Sequence, residues 1–236
     1  TGAVVHEFIE HPDRVIVRYF HKGKKKEAQG AWLVGADGAA SVIRKKLFPR
    51  QFRREYIAIQ EYFKTGDPHP FFSAIFDEAI TDFYSWTIPK DGILLAGGAF
   101  PVHGKPQESF ALLIRKLRGL GLISGKAVSR DGAMIIRPAS AGEITNGRGR
   151  VLLCGEAAGY ISPSSAEGFS YAFRSALALA DAFSGGGHPV EYRYRSNTAS
   201  LRHNITGKIL KSPFMFNPML RKMAMRSGVM SLAVRT

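Results

Sequence analysis

VLLCGEAAGYISPSSAEGFSYAFRSALALA, residues 151–180, decides how the rest of the chain is read. Val151-Leu152-Leu153-Cys154 is a short apolar run of the length of a buried strand. Gly155-Glu156-Ala157-Ala158-Gly159 follows as a turn of small residues. Ser164 and Glu167 then stand in capping-box spacing. After them Ala166, Phe169, Phe173, Leu177 and Ala180 recur at helical intervals, and Gly185-Gly186-Gly187 stops the helix. The predicted order is strand, glycine turn, capped helix. It aims free backbone N–H groups and the positive end of a helix dipole at one spot. An anion, or the electron-rich edge of a cofactor ring, suits that spot.

Upstream, Ala3–Ile9 and Arg14–Phe20 read as a hairpin around His11-Pro12-Asp13, with Lys22–Lys26 as a solvated turn. Ala28–Leu33 is a third strand that runs into Gly35-Ala36-Asp37-Gly38-Ala39-Ala40-Ser41-Val42-Ile43-Arg44. That string reads as strand end, tight turn and helix start, with Asp37 as a capping or turn residue. After Pro49 come four strand-like runs, Glu55–Lys64, Phe71–Phe76, Asp82–Thr87 and Gly92–Phe100. The turn signals between them are Gly66-Asp67-Pro68, 77–81 and 89–91, and the spacing predicts an antiparallel sheet. The sheet is rich in aromatic residues, which suits either a core under a helix layer or the wall of an apolar pocket. In Tyr84-Ser85-Trp86-Thr87-Ile88-Pro89, alternation puts Tyr84, Trp86 and Ile88 on one face. Pro106–Leu120 has helical spacing, Asp131–Pro138 is a strand, and Val190–Leu210 is a basic helical stretch. The Met- and Phe-rich remainder, Pro213–Thr236, is read as a helical layer, with a basic membrane-surface segment as the alternative.

Three of these strings together carry a resemblance. Gly155-Glu156-Ala157-Ala158-Gly159…Pro163…Ala166-Glu167-Gly168 resembles the second flavin motif of FAD-dependent proteins built like p-hydroxybenzoate hydroxylase, in its geranylgeranyl reductase branch. Glu156 stands where that family has Asp, and Ala166 where the branch has Gly. Asp37, Gly38, Ser41 and Arg44 match every fixed position of the D-G-x-x-S-x-x-R motif of the same family. Tyr84, Trp86, Ile88 and Pro89 resemble the branch's Y-x-W-x-F-P string, which lines its lipid cavity. The resemblance implies an α/β (α+β) chain. It would hold part of a Rossmann-like FAD-binding domain (1–50), an antiparallel-sheet substrate domain (51–140), a return to the FAD domain (141–187) and C-terminal helices (188–236). It implies cofactor contacts from Asp37, Gly38, Ser41, Arg44, Gly155, Glu156, Ala157, Gly159, Pro163, Ala166, Glu167 and Gly168. Substrate contacts would come from Tyr84, Trp86, Ile88 and Pro89. The implied reaction is hydride transfer from reduced FAD to a carbon–carbon double bond of an isoprenoid or similar apolar substrate. NAD(P)H or ferredoxin would be the electron donor. The family's G-x-G-x-x-G string does not occur, and the chain opens on Thr1, so a truncated family member is expected.

Composition limits the alternatives. The 236 residues are 45% hydrophobic, enough for a sizeable core. Cys154 is the one cysteine, so no disulfide forms within the chain, and a cytoplasmic protein is expected, with a peripheral membrane contact as an option. The seven histidines show no metal-binding spacing, and no G-x-S-x-G elbow exists. With no side-chain catalytic set visible, the hard chemistry falls to a cofactor. The net charge of +14 would suit nucleic acid, but the basic residues are dispersed and no nucleic-acid module frames them, so no nucleic-acid partner is expected. A flavin monooxygenase of the same fold and a non-enzymatic basic lipid-binding module remain as rival readings.

Overall fold

A computed structural model describes residues 2–51, 53–64 and 71–228. The expected Gly66-Asp67-Pro68 turn and the last eight residues lie outside these. The chain begins with β1 (Ala3–Glu10) and β2 (Val15–His21), antiparallel from Ala3↔His21 to Glu10↔Val15. Lys22 (φ 49°) and Gly23 (φ 74°) are both left-handed, the backbone of a type I′ hairpin turn. That tight turn lets β3 (Lys24–Gly30) start within the lysine run, which had been expected as a loop.

The expected third strand is therefore divided. Its first half belongs to β3, and its end belongs to β4 (Leu33–Gly35), which joins a different sheet. Then come α1 (Val42–Leu47), β5 (Glu55–Lys64), β6 (Ser73–Ile75), β7 (Ser85–Lys90) and β8 (Ile93–Pro101). After them are α2 (Pro106–Gly119), β9 (Ser129–Ile136), β10 (Gly147–Arg148) and β11 (Val151–Leu153). A short 3-10 turn, Gly155–Ala158, precedes α3 (Phe169–Ser184). The expected helix over 190–210 is two helices, α4 (Val190–Asn197) and α5 (Ala199–Phe216), and α6 (Pro218–Arg226) follows.

The chain forms two compact units. The first unites Thr1–Arg54 with Ile136–Leu210. Its centre is β4 running parallel to β11, Leu33 beside Val151 and Gly35 beside Leu153, with β10 on the other side of β11. Val151 and Leu153 pack with Ile43, Leu47, Tyr171, Leu201 and Ile205, while Leu152 packs with Ala178, Leu179 and Tyr194. Side chains on both faces of this strand are thus covered, as parallel strands require. Gly35 is needed for the fit, since a Cβ there would lie 2.7 Å from the Leu153 side chain and 3.0 Å from Ile43 Cβ.

The second unit, Glu55–Ile135 with Lys211–Thr236, carries the expected antiparallel sheet in the order β6-β7-β8-β5-β9. Pairings such as Ser85↔Gly98 and Ile59↔Gly98 set its two faces. Ile59, Phe63, Leu94, Ala96 and Phe100 pack on Phe110, Leu113 and Leu117 of α2. Trp86, Gly97 and Gln60 share the opposite face. Among the described residues no helix is long and apolar enough to cross a membrane.

α3 departs from expectation in orientation. Its helical period is as read, but Phe169, Phe173 and Leu177 are 82%, 68% and 66% exposed. The buried side is Tyr171, Ser175, Ala178, Leu179 and Ala182. Ser175, Ala178 and Ala182 are short enough to bring this helix close to β11, which leaves the large side chains outward.

Candidate functional site

In the first unit, the two sequence strings meet at the carboxyl ends of β4 and β11. Open α/β sheets bind ligands at that end. The Asp37 carboxylate organises the first string. Its Oδ1 accepts from Ser41 Oγ at 2.6 Å, and its Oδ2 accepts from the N–H groups of Val42 (2.8 Å) and Ile43 (3.2 Å). Ser41 Oγ in turn accepts from Arg44 N at 2.9 Å and caps α1. Gly38 is left-handed (φ 68°), and a Cβ placed on it would meet nothing within 4 Å.

Arg44 couples the two strings. Its Nη1 donates to the Ala157 carbonyl at 2.9 Å, across 113 residues of chain. Its Nη2 donates to the Glu143 carbonyl and to Gln51 Oε1 (2.8 Å), and Nε donates to Gln51 as well. Burial lowers its pKa to about 10, with Arg53 contributing, so the cation persists at neutral pH. Ser41 and Arg44 were expected at a cofactor. Both are fully buried and engaged inside the protein, so they position the turns.

The glycine turn is also mostly internal. Gly155 N–H donates to Ser175 Oγ at 2.9 Å, and Ala157 lies in the core. Gly159 (φ 87°) sits where a Cβ would come 2.7 Å from the Glu143 carbonyl oxygen. The Pro163 carbonyl accepts from Arg137 Nε at 3.1 Å. The capping box is absent: Gly168 is the N-cap of α3 and no side chain caps at that position. Instead the Glu167 carboxylate accepts from Ser170 N (2.8 Å) and Ser170 Oγ (2.9 Å). A carboxylate of this chain therefore already stands at the positive end of the helix.

Glu156 remains as the half-buried polar group of the turn. One carboxylate oxygen accepts from Ile136 N–H at 2.8 Å. Among the described residues this carboxylate makes no other hydrogen bond. Burial pushes its pKa above 4.5, against the lowering effect of the Ile136 N–H. The folded protein thus binds that proton more tightly than the unfolded chain, and stability from this group is lost as pH rises through the folded pKa. Glu156→Gln keeps the acceptor and removes the buried charge. Its melting temperature at neutral pH should rise above that of the parent, and the gain should shrink on acidification toward the carboxyl range.

Ala166 supplies another check. Its φ is 52°, the left-handed region, at the position where the resembled branch has Gly. An L side chain there costs about 1–2 kcal/mol. Ala166→Gly should recover about 1 kcal/mol net of the greater freedom of the unfolded chain, read by denaturant unfolding.

In the second unit, the Tyr84 and Trp86 rings lie 5.6 Å apart between centroids, tilted by 56°. Tyr84 is buried among Phe76 and Phe83, at 6.2 and 4.8 Å between centroids. Ile88 and Pro89 are half-buried further along β7. Trp86 closely approaches Gly97, where a Cβ would come 2.7 Å from the indole. Sequence reading missed Gln60, Tyr62 and Asp131, which share this face. No spacing rule links a residue on β9 to two on β5.

No family model matches the chain. It is 42% identical over 207 residues to Protein CbrA of Escherichia coli O6:H1, covering 88% of this chain and 56% of that protein. Protein CbrA of Shigella dysenteriae serotype 1 is 41% identical, with 88% and 58% covered. The chain thus spans rather more than half the length of these curated relatives. Among solved structures, Klebsiella pneumoniae HpxO complexed with FAD superposes with a TM-score of 0.63 at 18% identity, over 95% of this chain and 62% of that one. The p-nitrophenol 4-monooxygenase of Pseudomonas putida gives 0.66 at 18%, over 94% and 60%. A geranylgeranyl bacteriochlorophyll reductase-like protein of Thermoplasma acidophilum gives 0.65 at 13%, over 95% and 69%. The fold is the FAD-binding monooxygenase-like fold.

Proposed function

We propose that this chain belongs to a flavin-dependent oxidoreductase and that it reduces a carbon–carbon double bond of an apolar substrate. The carrying observation is the pair of turns at the carboxyl ends of β4 and β11, locked to each other by Arg44. The residues there fit FAD. Glu156 offers an acceptor oxygen suited to a sugar-type hydroxyl, and Gly38 leaves its turn open to close approach. When bound, FAD supplies the two-electron redox chemistry.

This chain's own residues do the rest. Asp37 holds the first turn by accepting two N–H groups and the Ser41 hydroxyl. Glu167 fixes the start of α3. Tyr84, Trp86 and Ile88 provide the apolar surface for the substrate, and NAD(P)H or a ferredoxin is the proposed source of electrons. The fold likeness does not choose between reductase and monooxygenase, at TM-scores of 0.65 and 0.66. The choice of reductase rests on the Tyr84–Pro89 string.

FAD titrated into this chain should show saturable quenching of flavin fluorescence, and the quenching should weaken in Glu156→Ala. No quenching at any protein concentration overturns the flavin reading. With flavin kept reduced and a polyprenyl alkene present, the product should gain two hydrogens. A product that instead gains one oxygen atom in air would establish the monooxygenase.

A further inference from the structure

The open face of the second unit's sheet carries a chain of hydrogen bonds that runs in one direction. Tyr62 OH donates to Asp131 Oδ2 at 2.7 Å. Gln60 Nε2 donates to Tyr62 OH at 2.7 Å. Trp86 Nε1 donates to Gln60 Oε1 at 3.4 Å. The direction follows from the end group, because an ionised carboxylate only accepts. Asp131 therefore fixes the Tyr62 proton, the Tyr62 oxygen takes the Gln60 amide N–H, and the Gln60 carbonyl is left facing Trp86. The Asp131 hydrogen bond also raises the Tyr62 pKa, which keeps the phenol a donor.

Beside this relay is a pocket of about 200 Å³, lined by Ala58, Gln60, Trp86, Asp131, Gly132 and Ala133. Small residues make the room, and Gly97 lets the indole, one wall of the pocket, approach the sheet closely. A cavity of ~150 Å³ holds a benzene-sized molecule, so this pocket suits a single ring with a short substituent. The Trp86–Gln60 link is the longest in the relay. A ligand hydroxyl placed at that link would accept from the indole N–H and donate to the Gln60 carbonyl. A carboxylate would face the Gln60 oxygen and the Asp131 charge, both unfavourable. A hydrocarbon gains only the apolar wall.

We propose that Gln60, oriented by Tyr62 and Asp131, selects a neutral hydroxyl-bearing ligand group at the Trp86 pocket. Gln60 touches the ligand, whereas Tyr62 and Asp131 are positioning residues. The inference deepens the reading of this face as the substrate face and does not depend on flavin.

The test uses the full chain with Trp32→Phe, which leaves Trp86 as its one indole. Indole fluorescence is titrated with benzyl alcohol, toluene and benzoate. Benzyl alcohol should bind about fivefold to tenfold tighter than toluene, the worth of one or two net hydrogen bonds, and benzoate weakest. Gln60→Leu should abolish the preference for the alcohol while retaining toluene binding. Asp131→Asn, at an exposed position, should shrink the preference without moving the melting temperature, because an amide can donate or accept and no longer fixes the Tyr62 proton. Equal affinities for benzyl alcohol and toluene, no binding of either, or a preference that survives Gln60→Leu would each overturn the proposal. Since no flavin is added, these results stand apart from the outcome of the FAD titration.

Discussion

Arg44→Met is expected to destabilise the chain by about 3–5 kcal/mol, the cost of breaking a buried charged hydrogen-bond network. Arg44 is 1% exposed, and its guanidinium serves the Ala157 carbonyl, the Glu143 carbonyl and Gln51. Methionine fills much of the volume but leaves all three groups without their donor. A loss of this size lowers the melting temperature by roughly 10 °C or more for a chain of this length. Arg44→Lys should rescue little of it, because one ammonium cannot reach acceptors lying in several directions. A Lys variant as stable as the parent would show that only the charge matters.

Gly159→Ala is the second large effect, at about 3 kcal/mol in chemical denaturation. Two costs combine. The left-handed backbone at φ 87° penalises any L side chain by about 1–2 kcal/mol. The new Cβ would also stand 2.7 Å from the Glu143 carbonyl oxygen and 3.3 Å from Arg44 Nη1, and overpacking typically adds about 1–3 kcal/mol. Backbone cannot yield as a side-chain tip can. The variant presses on the network that Arg44 holds, so the double substitution Arg44→Met with Gly159→Ala should cost clearly less than the two single costs together. Strict additivity would mean that the turn and the guanidinium act separately.

Elements whose signal is local were legible in the sequence. β5 has the bounds of the strand-like run, α2 ends one residue before its helical spacing does, and Val151–Leu153 is buried as its apolar run implied. What was not legible depends on partners distant in the chain. Nothing near Arg44 shows that it turns inward, because two of its acceptors, the Ala157 and Glu143 carbonyls, lie 113 and 99 residues further along the chain. Periodicity finds a helix at α3 but not which side is buried. Its large apolar residues drew attention, yet short residues let it approach β11. The serine and glutamate spacing before α3 matched a capping box, but a left-handed Ala166 intervenes and Glu167 reaches forward to Ser170 instead.

The pairing of β4 with β11 bears on how the chain is made. Residues 55–135 lie between the two halves of the first unit, and the antiparallel sheet they form is contiguous in sequence. As the ribosome releases the chain, that sheet can close before β11 reaches β4. Arg44 waits for an acceptor 113 residues later, on the order of ten seconds at common elongation rates. Through that interval Leu33-Val34-Gly35 stands apart from Val151-Leu152-Leu153, so the core of the first unit closes only after the antiparallel sheet of the second can already have formed.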